Sequence, residues 1–203
     1  MDMLKSQIGN EDTIKKLSDQ LEGADPEQTK AATDGVLSTL IAGLAKNASS
    51  PDGAQSLNAA LERDHDGSVL NDYIGSISGN REVANPKALN GQGILSHVLG
   101  GKQNKAADLI SQMSGLGKGQ TGKLMVMLAP MIMGALGKVK RNQGLDSDGL
   151  SSILTSALGT GRQQGGRETI DMISSFIDSD GDGDIMDDLG KMGKGLLGGF
   201  FGR

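Results

Sequence analysis

Apolar positions recur at helical spacing along most of the chain. Ile14, Leu17 and Leu21 lie on one face of a short amphipathic helix within Glu11 to Glu22. Asp25-Pro26-Glu27-Gln28 reads as an N-cap, a proline at the first helical position and a glutamine three residues after the cap. The helix it opens is predicted to run to about Lys46, burying Val36, Leu37, Leu40, Ile41 and Leu44, with Gly35 and Gly43 allowing a neighbour close. Asn47 to Gly53 reads as a loop, Leu57 and Leu61 carry a short helix, and Val69 to Ile77 is one more.

Beyond a Gly-, Asn- and Pro-rich hinge, Ile94 to Leu99 is closed by Gly100-Gly101. A long helix over Gln120 to Lys140 contains Pro130, where a kink is expected. Asp146-Ser147-Asp148 offers a cap for Leu150 to Leu158, and Gly159 to Arg167 links to a helix over Glu168 to Ile177.

The second half echoes the first. Adding 92 to a position pairs Leu17 with Leu109, Leu21 with Met113, Gly23 with Gly115, Gln28 with Gln120, Thr29 with Thr121, Leu40 with Ile132, Leu44 with Leu136 and Lys46 with Lys138. A constant offset over some thirty residues points to a duplicated unit. The expected fold class is therefore all-α, a helical bundle built from two duplicated halves with the helices from Pro26 and Gln120 at its centre. Residues 1–78 form the first repeat, 79–93 a hinge, 94–188 the second repeat and 189–203 a Gly-rich apolar tail.

Composition agrees. Aromatics are 2% and glycine is 32 of 203 residues, so the core must come from Leu, Ile, Met, Val and Ala. A net charge of −5 and the lack of a basic stripe argue against a nucleic-acid partner. Without cysteine there is no disulfide, thiolate nucleophile or Cys-based zinc site. Met1 to Asn10 has no continuous apolar run, and Leu124 to Leu136 is shorter than the ~20 residues a bilayer span needs, so a cytoplasmic location is expected.

The chemistry concentrates in two acidic stretches. In Asp178-Ser179-Asp180-Gly181-Asp182-Gly183-Asp184-Ile185-Met186-Asp187-Asp188, carboxylates alternate with small residues, a glycine follows the third Asp and a branched apolar residue comes two positions later. This is the spacing of a helix-flanked, EF-hand-like calcium loop. Asp178, Asp180 and Asp182 are expected to ligate Ca²⁺ by side chain and Asp184 by its carbonyl, with Asp187 or Asp188 closing the shell. Leu189 stands where a full EF-hand has its bidentate Glu, so closure must differ. Glu62 to Asp72 echoes this loop with Glu62, Asp64, Asp66 and Asp72 as carboxylates and Ser68 in place of an Asp.

Other features carry less. Gly117 to Lys123 resembles the opening of a phosphate loop, but Leu124 replaces the Ser or Thr that would hold Mg²⁺. His65 and His97 have no acidic or nucleophilic partner at a catalytic spacing, so each reads as a surface or core histidine. Met125, Met127, Met131 and Met133 read as packing, with a Met-rich binding surface exposed by calcium as the sharper reading.

Several separate words occur in order: Ile41 to Asn47 followed by Ser-Pro-Asp-Gly, Asp64 to Ser68, His97 to Gln103, and Leu128-Ala129-Pro130 with Gly134 to Gly137. In these the chain resembles the bacterial family filed as domain of unknown function 937, to which the YidB-like proteins are similar, over roughly residues 10 to 190. The resemblance implies a helical bacterial protein and no mapped catalytic residue. The expectation is a non-enzymatic calcium-binding protein that forms a homo-oligomer or docks a protein partner, with calcium mainly structural and no small-molecule substrate. The alternative is peripheral membrane association through residues 189–203, where Leu196, Leu197, Phe200 and Phe201 lie beside Lys191, Lys194 and Arg203.

Overall fold

The computed structural model describes residues 8–65, 86–161 and Ile173. Among the described residues the regular structure is entirely helical, so the protein is all-α. The helices are α1 (Glu11–Gln20), α2 (Pro26–Asn47), α3 (Pro51–Asp64), α4 (Gly91–Leu99), α5 (Gln103–Ser114), α6 (Lys118–Gln143) and α7 (Ser147–Gly161). The helices expected over Val69 to Ile77 and Glu168 to Ile177 fall outside the described residues, apart from Ile173, which is helical and buried.

Local capping sets most boundaries. Asp25 accepts the Gln28 N–H at 2.9 Å and Pro26 opens α2, while Asp146 accepts the Gly149 N–H at 2.9 Å at the start of α7. Two boundaries depart from expectation. Residues 51–53 are not loop but the first turn of α3, because Ser50 accepts the Gly53 N–H at 3.1 Å and Pro51 occupies the first helical position. The end of the expected hinge is also helical: Pro86–Leu89 forms a 3-10 turn with Ala88 fully buried. Asn90 then caps α4 through the Gly93 N–H at 2.9 Å.

The two long helices lie at the centre. α2 packs against α1, α4, α5, α6 and α7, and α6 packs against α2, α3, α4 and α5. Leu37, Leu40, Leu124 and Leu128 are at most 1% exposed, and burial at this level stabilises by roughly 1.5–3 kcal/mol per side chain. Hydroxyls that α2 and α6 bury are returned to their own helices. Thr29, Thr33 and Thr39 donate to the carbonyls of Asp25, Thr29 and Gly35, and Thr121 donates to that of Gly117.

The glycines of α2 are filled within the chain. A Cβ on Gly35 would meet Ile110 of α5 at 3.2 Å, and one on Gly43 would meet Val98 of α4 at 2.8 Å. The methionines of α6 are packing: Met125, Met131 and Met133 are buried and Met127 lies partly buried against the core. α6 is long and apolar enough to cross a membrane, with a window of mean hydropathy 1.4, but 67% of that window is buried by the other helices. The helix is continuous through the buried Pro130.

Candidate functional site

Two of the carboxylates expected to bind calcium are described, and both lie in the last turn of α3. Glu62 accepts from Lys140 Nζ of α6 at 2.7 Å and from Asn58 at 3.2 Å. The hydrogen bond from Lys140, then its charge, pulls the Glu62 carboxyl below the usual Glu range. Asp64 accepts from Arg63 Nε and Nη2 at 2.8 and 2.6 Å. Carboxylates at a helix C-terminus face the negative end of the macrodipole, and these cations offset that cost. Asp66, Ser68 and Asp72 lie outside the described residues, as do Asp178, Asp180, Asp182, Asp184, Asp187 and Asp188. Among the described residues no three His, Asp or Glu side chains converge as a metal site.

A cavity opens beside this turn. A cleft of about 960 Å³ lies between α3 and α4, over Leu44 of α2 and Met133 of α6. Leu57 and Ala60 line the α3 wall, and Ile94 and Val98 line the α4 wall. Asn47 ties the ends of α2 and α4 by donating to the His97 carbonyl at 3.1 Å.

Both histidines line this cleft, although 32 residues of sequence separate them. His97 is exposed, whereas His65 is only 5% exposed. His65 caps α3, its N–H bonded to the Leu61 carbonyl at 3.3 Å, and its ring Nδ1 has no hydrogen-bond partner. Burial pushes its pKa below the ordinary histidine value, the Asp64 charge opposes that shift, and the Arg63 charge adds to it. The sequence held one signal for this pairing, the position of each histidine at or near a helix C-terminus, but nothing in it says that those two helix ends meet.

The phosphate-loop resemblance at Gly117 to Lys123 resolves into the opening turns of α6. Lys118 pairs with Asp108 at 2.6 Å and Lys123 with Glu22 at 2.5 Å, and no strand precedes them among the described residues.

The family described as "Bacterial protein of unknown function (DUF937)" matches residues 2–139. The chain belongs to this family. The DUF937 match takes in α1 to α5, most of α6 and every described residue lining the cleft. It ends well short of residue 190, so Asp178 to Asp188 and the apolar tail lie beyond it. No curated protein and no solved structure matches the chain.

Proposed function

We propose that this DUF937 protein is a non-enzymatic helical protein that binds calcium through its acidic stretches and self-assembles or docks a protein partner. The observation that carries the reading is the alternation of Asp178, Asp180, Asp182 and Asp184 around Gly181 and Gly183, with the echo from Glu62 to Asp72. So many carboxylates in so few residues repel one another unless a cation neutralises them. Glu62 and Asp64 stand at a helix C-terminus paired with Lys140 and Arg63, and calcium would take the place of those cations on them. Calcium's work in this reading is structural: it pins helix ends and stabilises the fold by preferential binding to the native state.

Duplication of one helical unit underlies this design. It is supported by α1 and α5 starting at Glu11 and Gln103, and α2 and α6 at Pro26 and Lys118, each pair 92 residues apart. Docking is assigned to surfaces other than the α2 glycine face, which Ile110 and Val98 already occupy.

The test is a calorimetric Ca²⁺ titration of the chelator-stripped full chain, with Asp180→Ala plus Asp182→Ala as control. Two transitions, one of them lost in the variant, support both loops. A flat titration removes calcium from the account. Sedimentation of the same samples with and without Ca²⁺ reads self-association directly.

A second reading, attachment to an anionic membrane surface, is favoured by Leu196, Leu197, Phe200 and Phe201 beside Lys191, Lys194 and Arg203. Flotation with anionic liposomes, with and without residues 189–203, separates it from docking to a protein.

A further inference from the structure

Asn90 is the only asparagine in the chain that is followed by glycine, and each member of the pair serves the fold. Asn90 caps α4: its Oδ1 accepts the Gly93 N–H at 2.9 Å, and its main-chain carbonyl accepts the Ile94 N–H at 3.0 Å. Gly91 is buried, and a Cβ there would overlap the Val126 carbonyl oxygen. Together the two residues carry a reaction of their own. A main-chain nitrogen can attack the carboxamide carbon of the asparagine before it, and glycine, lacking a side chain, leaves that path open. The new N–C bond closes a five-membered imide while the side-chain nitrogen leaves as ammonia, taking the Gly91 amide proton. Water then opens the imide, giving Asp when the new bond is cut and isoAsp when the original peptide bond is cut.

The native geometry holds this reaction off. At Asn90 ψ is 73°, which places the Gly91 nitrogen on the opposite side of the Cα–C bond from Cβ. Ring closure needs the two on the same side. The rotation that brings them there breaks both capping bonds and lifts Gly91 off Val126. Asn90 itself is exposed, so water reaches its carboxamide and the imide as soon as the turn opens.

We propose that Asn90–Gly91 is a spontaneous modification site gated by opening of the first turn of α4, and that its isoAsp product cannot close that turn again. Asp at this position keeps a capping oxygen and adds negative charge at a helix N-terminus, so α4 re-forms. IsoAsp instead routes the chain through Cβ and Cγ, adding a main-chain atom just before Gly91, where the contact with Val126 leaves no slack. Each isoAsp event leaves the start of α4 unseated from α6, a one-way record of how often the turn opens. The inference goes beyond the calcium reading and uses none of its carboxylates.

The experiment ages the full chain in mildly alkaline buffer, folded and in denaturing urea, and follows position 90 by peptide mass mapping that separates the Asp and isoAsp peptides. Conversion at least about tenfold faster in urea than in the folded chain is expected. Leu95→Ala, which removes a buried α4 side chain without touching the Asn–Gly pair, should speed conversion of the folded chain severalfold. Should that variant fail to fold, subdenaturing urea added to the native chain should do the same. Aged protein carrying isoAsp should unfold at a lower urea midpoint than the fresh chain, and Asn90→Ser, which keeps a capping oxygen, should age without this loss. The proposal is overturned by equal rates in the folded and unfolded chain, or by no conversion at position 90 in either. No acceleration in folded Leu95→Ala or in subdenaturing urea, an unchanged midpoint in the isoAsp protein, or the same loss in aged Asn90→Ser overturns it equally.

Discussion

Gly91, the first residue of α4, sits directly against the backbone carbonyl of Val126 in α6. A Cβ placed on Gly91 would overlap that oxygen and stand 2.8 Å from the carbonyl carbon. Val126 is the residue four before Pro130, and proline has no N–H to return to it. The first turn of α4 is therefore seated where the hydrogen-bond ladder of α6 is interrupted, and only glycine lets the backbones come this close. Gly91→Ala should destabilise the fold by about 1–3 kcal/mol through overpacking against backbone that cannot move aside. A lower urea midpoint at unchanged slope is the expected readout. Gly122→Ala in α6, where an added Cβ meets nothing within 4 Å, should instead stabilise by about 0.5–1 kcal/mol.

A glutamine of each central helix reaches the segment that leads into the other. Gln120 donates to the Leu21 carbonyl at 2.9 Å, 99 residues away, and accepts the Gly117 N–H at 3.2 Å. Gln28 lies with its amide against Gly115, the turn before α6. Gln120→Ala should cost about 0.5–1.5 kcal/mol, read as a lower urea midpoint. Gln28→Ala, at an exposed position, should cost less. Equal losses would show that the Leu21 bond adds nothing.

A stability term in His65 follows from its burial. Its folded pKa is depressed, so between that value and the unfolded value of about 6.5 the unfolded chain binds more protons. Stability from this group is complete above pH 6.5 and is lost as pH falls through the folded value. Thermal midpoints should therefore drop as pH falls below about 6.5, and His65→Gln should flatten that part of the profile. An identical slope in the variant would assign the loss to carboxylates instead.

An ion pair joins α3 to α6. Lys140 is 15% exposed and Glu62 60%, so their contact at 2.7 Å is only partly screened. Glu62→Gln keeps the hydrogen-bonding shape without the charge and should cost at most about 1 kcal/mol in low salt, less in high salt. If Glu62 also serves calcium, the same variant should weaken any Ca²⁺ transition assigned to Glu62 to Asp72 in the calorimetric titration.

Periodicity and caps along the chain determined most helices, because those are decided by neighbours within four residues: Asp25 before Pro26, Asp146 before Gly149, and the apolar face of α2. Local chemistry was misread where polar residues looked like loop, at Pro51 and at Asn90, since a Ser or Asn that favours a turn favours a helix cap equally. The acidic stretches and their spacing likewise belong to the sequence alone. Tertiary structure decided which faces meet. It set Gly35 and Gly43 against α5 and α4, buried the methionines of α6, seated Gly91 on the carbonyl opposite Pro130, and brought His65 to a shared cleft with His97. Such contacts join residues tens of positions apart, and they depend on how helices pack around one core rather than on any local preference.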